Sequence, residues 1–132
     1  MVGEHAHTFT SDTYPAFGGA DAAPSSLSYT LVALTSCNQI SAQLVAKDLG
    51  VRPGEFRISA RGDVDPSVFV GGADGNANVD AVTVEASVKT DADDETFATL
   101  VSELERRCPV TQLFKRSGLD YRSTWTTVPM AG

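Results

Sequence analysis

From Leu27 to Ala46 no side chain carries a charge, and apolar residues return at every third or fourth position. Leu27, Leu31, Leu34, Cys37, Ser41 and Leu44 trace one stripe, and Val32, Ala33, Ile40 and Val45 widen it. Steps of three and four follow one face of an α-helix, so the pattern predicts a helix over residues 25–49. Pro24, Ser25 and Ser26 supply its start, by a first-turn proline or a serine cap, and Gly50 suits the residue just past its end. A helix apolar around so much of its circumference is expected to lie buried at the centre of the fold.

Elsewhere the period drops to two. Phe56, Ile58 and Ala60 alternate with Glu55, Arg57, Ser59 and Arg61, and Val82, Val84, Ala86 and Val88 alternate with Thr83, Glu85, Ser87 and Lys89. Both segments predict half-buried strands. His5, His7 and Phe9 alternate with smaller residues and predict a short strand near the start. Glycine and proline punctuate the rest: Tyr14-Pro15 and Gly18-Gly19 mark one loop, Val51-Arg52-Pro53-Gly54 a turn, and residues 62–79 a long loop. Val68-Phe69-Val70 is expected to anchor that loop in the core.

Beyond residue 90, Asp91 or Asp93 can cap a second helix, with Phe97, Leu100, Val101 and Leu104 as its buried stripe and Cys108 continuing it. Arg106 and Arg107 suit its C-terminal end. Cys108-Pro109-Val110 restarts a short helix to about Phe114, which Gly118 closes. Leu119 to Val128 is strand-rich, with Tyr121 and Trp125 on one face. The order strand, long helix, strand, strand, helix, short helix, strand predicts a single α+β domain over residues 1–132.

The composition fits that picture. The chain has 132 residues, 42% of them hydrophobic, and a net charge of -7. An acidic surface repels phosphate backbones, so no nucleic-acid partner is expected. No apolar run reaches the roughly 18 residues of a membrane span, so no membrane partner is expected either. Met1-Val2-Gly3-Glu4-His5 shows no basic region followed by an apolar run, and the expected location is the cytoplasm. Stable disulfides are rare there, so the two cysteines are either inert core residues or redox residues.

The residues alone leave that choice open. Cys37 sits midway along the long helix and needs a nearby cation or hydrogen-bond donor to ionise. Cys108 sits at a helix start, where the dipole favours a thiolate. Against this, free cysteine often only fills space in a core. His5 and His7 could share one face of a strand but have no further ligands at suitable spacing, so no metal is expected. Gly18-Gly19 and Gly71-Gly72 lack the context of a phosphate loop, and Ser25, Ser26 and Ser28 lack a nucleophile-elbow frame. No cofactor is expected. Tyr121 and Trp125 are most simply core residues.

Three segments together resemble the OsmC/Ohr family. Asp12-Thr13-Tyr14-Pro15-Ala16-Phe17-Gly18-Gly19-Ala20-Asp21, followed by Ala23-Pro24-Ser25-Ser26-Leu27, is similar to the loop entering the family's central helix. Ala33-Leu34-Thr35-Ser36-Cys37-Asn38 resembles that helix around its reactive cysteine, and Glu105-Arg106-Arg107-Cys108-Pro109-Val110 resembles the second cysteine motif. The resemblance implies an intertwined homodimer in which long central helices are wrapped by antiparallel sheet from both chains. It also implies a reaction. The thiolate of Cys37 attacks an organic hydroperoxide, Cys108 resolves the sulfenic acid to a disulfide, and a thiol reductant, a dithiol or a lipoylated protein, restores the pair.

Two departures accompany the resemblance. The family's peroxidases use an N-terminal arginine and a glutamate before the cysteine. This chain has no arginine before Arg52, and Ser28 stands where the glutamate is expected. The family's first strands also lack a counterpart. The activity that the resemblance implies is a thiol-dependent peroxidase, with Tyr14, Phe17 and Ser28 as substrate-contacting residues. The alternative is a non-catalytic dimeric module that binds a small apolar ligand.

Overall fold

The computed structural model describes residues 6–130. Described residues up to Thr30 form one compact unit, and those from Leu31 onward form a second.

In the first unit a single carboxylate organises the loop. Asp12 accepts the backbone N–H groups of Thr13, Ala20 and Ala22 at 2.8, 3.1 and 3.0 Å. Those bonds favour the ionised carboxylate and lower its pKa. A Cβ at Gly19 would lie 2.2 Å from the Thr13 carbonyl oxygen, so only glycine lets the two arms of this loop approach. Between them Pro15–Phe17 makes one 3₁₀ turn. The expected N-terminal strand is absent from residues 6–14, and His5 lies outside the described residues. A strand needs a paired strand for its backbone groups, and no described strand pairs with this segment: the Thr10 carbonyl accepts the Tyr29 hydroxyl, the Asp12 N–H donates to the Pro24 carbonyl, and Phe9 packs edge-on against Tyr29. Helix α1 (Ser26–Leu49) starts here, with the Ser25 hydroxyl accepting the Ser28 N–H at 3.1 Å.

The second unit sets three strands beside the helices. Strands β1 (Phe56–Asp63) and β2 (Ala81–Lys89) pair antiparallel, with Ile58 opposite Ala86. Strand β3 (Asp120–Val128) lies on the other side of β2 and runs parallel to it, with Trp125 opposite Ala86. The sheet is therefore mixed, and the wholly antiparallel sheet implied by the resemblance is corrected. The cause is the connection: α3 (Asp94–Arg107) and α4 (Pro109–Arg116) carry the chain back along the sheet before β3 begins, as a parallel pair requires.

Packing divides into two adjacent clusters. Ala42, Val45 and Ala46 of α1 meet Ala86, Val88, Leu100, Leu104 and Trp125. Leu34 meets Val82, Val84 and Phe114. Leu34, Ala42, Ala46, Val84 and Leu104 are fully buried; each large one adds about 1.5–3 kcal/mol by leaving water. The described residues cover one face of α1. Val32, Ile40 and Leu44 are each more than half exposed, because three strands and two helices shield one side of it.

Helix ends follow the expected chemistry. Gly50 takes φ 70°, and the Val51 N–H closes onto the Ala46 carbonyl at 2.8 Å. Asp93, not Asp91, caps α3 through the Thr96 N–H at 2.8 Å. The anchor expected at Val68-Phe69-Val70 is not found. Asp65 caps a single turn, α2 (Pro66–Phe69), and leaves Phe69 61% and Val70 52% exposed.

Candidate functional site

Pro109 shapes the site. The ring of a proline disfavours helical geometry at the residue before it, and Cys108 accordingly takes φ -79°, ψ 112°. Helix α3 ends there and α4 begins, so Cys108 caps both. Its Sγ accepts the Thr111 N–H at 3.4 Å in the place of an N-cap oxygen. The side chain is fully buried.

Helix α1 brings the facing groups. Asn38 is fully buried, and its amide nitrogen donates to the Leu34 carbonyl at 2.9 Å and to the Thr111 hydroxyl at 3.0 Å. The same nitrogen lies 3.7 Å from the Cys108 Sγ. Cys37, one residue earlier, is half-buried. The Cys37 and Cys108 thiols lie close enough to perturb each other's ionisation.

The two sulfurs are pushed in opposite directions. At Cys37 burial raises the pKa, and the bond to Cys108 and its charge raise it further; the Val110 N–H and the Ser41 hydroxyl only partly offset them. At Cys108 burial also opposes ionisation. There the Thr111 hydroxyl and N–H, then Cys37 and Ser41, outweigh it, and the pKa falls below the ordinary 9.0. The Tyr121 hydroxyl faces the same cluster from β3, and burial raises its pKa, so it stays protonated. Arg106 and Arg107 are engaged elsewhere, by Glu103 and Asp48.

The fold thus brings together the two cysteines expected from the sequence. Tyr14, Phe17 and Ser28 belong to the first unit. Tyr14 and Phe17 pack edge-on with centroids 6.0 Å apart, and Ser28 receives a bond from the Ser25 hydroxyl at 3.0 Å. Sequence reasoning missed Asn38, Ser41, Thr111 and Tyr121 as parts of the cysteine cluster. One signal was available: Thr111 stands three residues after Cys108, the spacing of a cap to the N–H it receives. Asn38 gave none, since a lone asparagine in an apolar helix has no motif. Among the described residues no group of three His, Cys, Asp or Glu could hold a metal ion. A separate cleft of about 640 Å³, lined by Phe97, Val101, Glu105, Arg106, Lys115 and Trp125 among others, contains neither thiol.

Residues 18–121 match the family model described as OsmC-like protein, a stretch that runs from the loop glycines through both cysteines to β3. The chain belongs to the OsmC-like family. No curated protein matches it. Solved structures agree on the fold. An OsmC-like protein from Mycoplasma pneumoniae superposes with a TM-score of 0.71 at 16% identity, covering 80% of this chain and 73% of that one. An organic hydroperoxide resistance protein from Elizabethkingia anophelis gives 0.64 at 16% identity, covering 89% and 77%. One from Legionella pneumophila, also described as a predicted redox protein, gives 0.63 at 12%, covering 89% and 79%. In this OsmC-like protein, no described helix is long and apolar enough to cross a membrane.

Proposed function

We propose that this OsmC-like protein reduces organic hydroperoxides in the cytoplasm through Cys37 and Cys108. The supporting observation is the meeting of two thiols, 71 residues apart in the chain, inside a buried polar cluster that an inert core would not need. Cys37 is the more exposed of the pair and takes the peroxide. Its sulfur bonds to the distal oxygen, the O–O bond breaks, and the alcohol leaves. Cys108 then attacks the sulfenic acid, the S–S bond forms, and water leaves. A dithiol or lipoylated protein returns the two electrons.

The bare apolar face of α1 supports a homodimer as the working form. The proposed part of Tyr14, Phe17 and Ser28 is contact with the substrate; the two rings are 48% and 36% exposed. The raised pKa of Cys37 supports a second reading, a dimeric module that binds a small apolar ligand without turnover. One experiment separates them. Free thiols are counted after addition of cumene hydroperoxide. Rapid loss of both, reversed by dithiothreitol and abolished by Cys37→Ser, is expected. Thiols that persist under excess peroxide would leave only the binding module.

A further inference from the structure

The pair lacks the arginine and glutamate that the family's peroxidases use, yet one of its sulfurs is well supplied with donors. Cys108 sits at the N-terminus of the eight-residue helix α4, with the Thr111 N–H at 3.4 Å and the Asn38 amide at 3.7 Å. Both Asn38 and Thr111 are fully buried. A buried amide is costly unless its hydrogens are used; the two of Asn38 serve the Leu34 carbonyl at 2.9 Å and the Thr111 hydroxyl at 3.0 Å, and the Cys108 sulfur at 3.7 Å shares one of them in a longer contact. The Asn38 oxygen and the Tyr121 hydroxyl, both buried, have no hydrogen-bond partner among the described residues. The cluster is thus polar beyond what packing demands.

We infer that Cys108, rather than Cys37, carries the negative charge of the reduced pair, that Asn38 positions it, and that Cys108 is the base through which Cys37 becomes reactive. The depressed pKa of Cys108 and the raised pKa of Cys37 accord with this arrangement, in which the Cys37 S–H donates to the Cys108 sulfur. The groups facing Cys108 are Thr111 of α4, Asn38, Cys37 and Ser41 of α1, and Tyr121 of β3, which Glu105 of α3 also influences. Their help to the anion is by hydrogen bonds and the helix terminus.

The inference rests on the peroxidase reading for its chemical step. The proton of Cys37 passes to the Cys108 thiolate. The Cys37 thiolate bonds to the distal peroxide oxygen and the O–O bond breaks. The departing alkoxide takes the proton back from Cys108 and leaves as the alcohol. Cys108, again a thiolate, attacks the sulfenic sulfur of Cys37 and expels hydroxide. One thiol thereby serves first as base and then as resolving nucleophile.

The charge is tested without peroxide. Reduced protein is alkylated with iodoacetamide across a pH series, and each cysteine is followed by peptide mass. Cys108 should show the lower midpoint, preserved in Cys37→Ser and shifted upward in Asn38→Ser and in Thr111→Val. Far-ultraviolet circular dichroism checks that each variant is folded, and the titration of the thiolate absorbance in unmodified protein provides a second readout. A lower midpoint at Cys37, or a Cys108 midpoint that Asn38→Ser and Thr111→Val both leave in place, would overturn the assignment. The base role is tested by the rate of sulfenic acid formation at Cys37 with cumene hydroperoxide. Cys108→Ser should slow it at least tenfold at neutral pH and move its pH profile to alkaline values. An unchanged rate and profile in that variant would refute the base role. Absence of any reaction in the parent would refute the peroxidase reading but not the alkylation result.

Discussion

The Asn38 amide donates to the Thr111 hydroxyl at 3.0 Å, joining the middle of α1 to the first turn of α4 across 73 residues of chain. Both side chains are fully buried, so neither has water to fall back on. Thr111→Val keeps the shape and removes the acceptor. The stranded amide should cost about 1–3 kcal/mol, read as a lower urea midpoint with an unchanged slope. An unaltered midpoint would mean that the bond carries no weight in the fold.

Leu104 is the point where α3 enters the core, fully buried against the cluster of Ala42, Val45, Ala86 and Trp125. Leu104→Ala removes most of that side chain from the junction of helix and sheet. A loss of about 2–5 kcal/mol is expected from equilibrium denaturation, transfer and cavity contributions together. A loss under about 1 kcal/mol would show that the core relaxes into the space.

The cap of α3 predicts a pH dependence. The Thr96 N–H, and then its hydroxyl, favour the charged form of Asp93 and hold its pKa below the usual 3.8. A carboxylate that ionises more readily in the folded state stabilises that state above its unfolded pKa. The contribution is lost as pH falls through the folded value. Asp93→Ala should therefore lower the Tm at neutral pH, and its deficit should narrow once the pH drops below 3.8. A deficit that stays constant down the series would contradict a charged cap.

The uncovered side of α1 predicts association. Val32, Ile40 and Leu44 lie on one face of the helix at 59%, 53% and 53% exposure. Sedimentation should find the parent protein dimeric, and Leu44→Lys, which sets a charge in that face, should shift it towards monomer with its circular dichroism preserved. A parent that sediments as a monomer at every concentration would refute the homodimer.

Much of this was legible along the chain. The charge-free run from Leu27 to Ala46, the alternation through Val82–Val88 and the cap-and-glycine signals define α1, β2 and the helix ends, because local periodicity and terminal chemistry act within a few residues. The two cysteine segments were singled out by their resemblance to the family's motifs, since periodicity alone left the role of both thiols open. The direction of β3 was not, since alternation is the same for a parallel and an antiparallel partner, and only the path through α3 and α4 chooses between them. Nor was the exposure of Val32, Ile40 and Leu44, because the pattern marks a residue as apolar without saying what covers it.

The sequence by itself therefore determined α1, the three strands, α3 and α4 and the presence of two thiols, but not the short helix α2 or the lack of a strand in residues 6–14. Tertiary structure alone decided that Asn38, Ser41, Thr111 and Tyr121 gather around those thiols; the helix start at Cys108 was legible in the sequence, but the donors that face its sulfur were not. A thiol's ionisation is set by donors within a few ångströms and by exclusion of water, and neither is a property of neighbours in the chain.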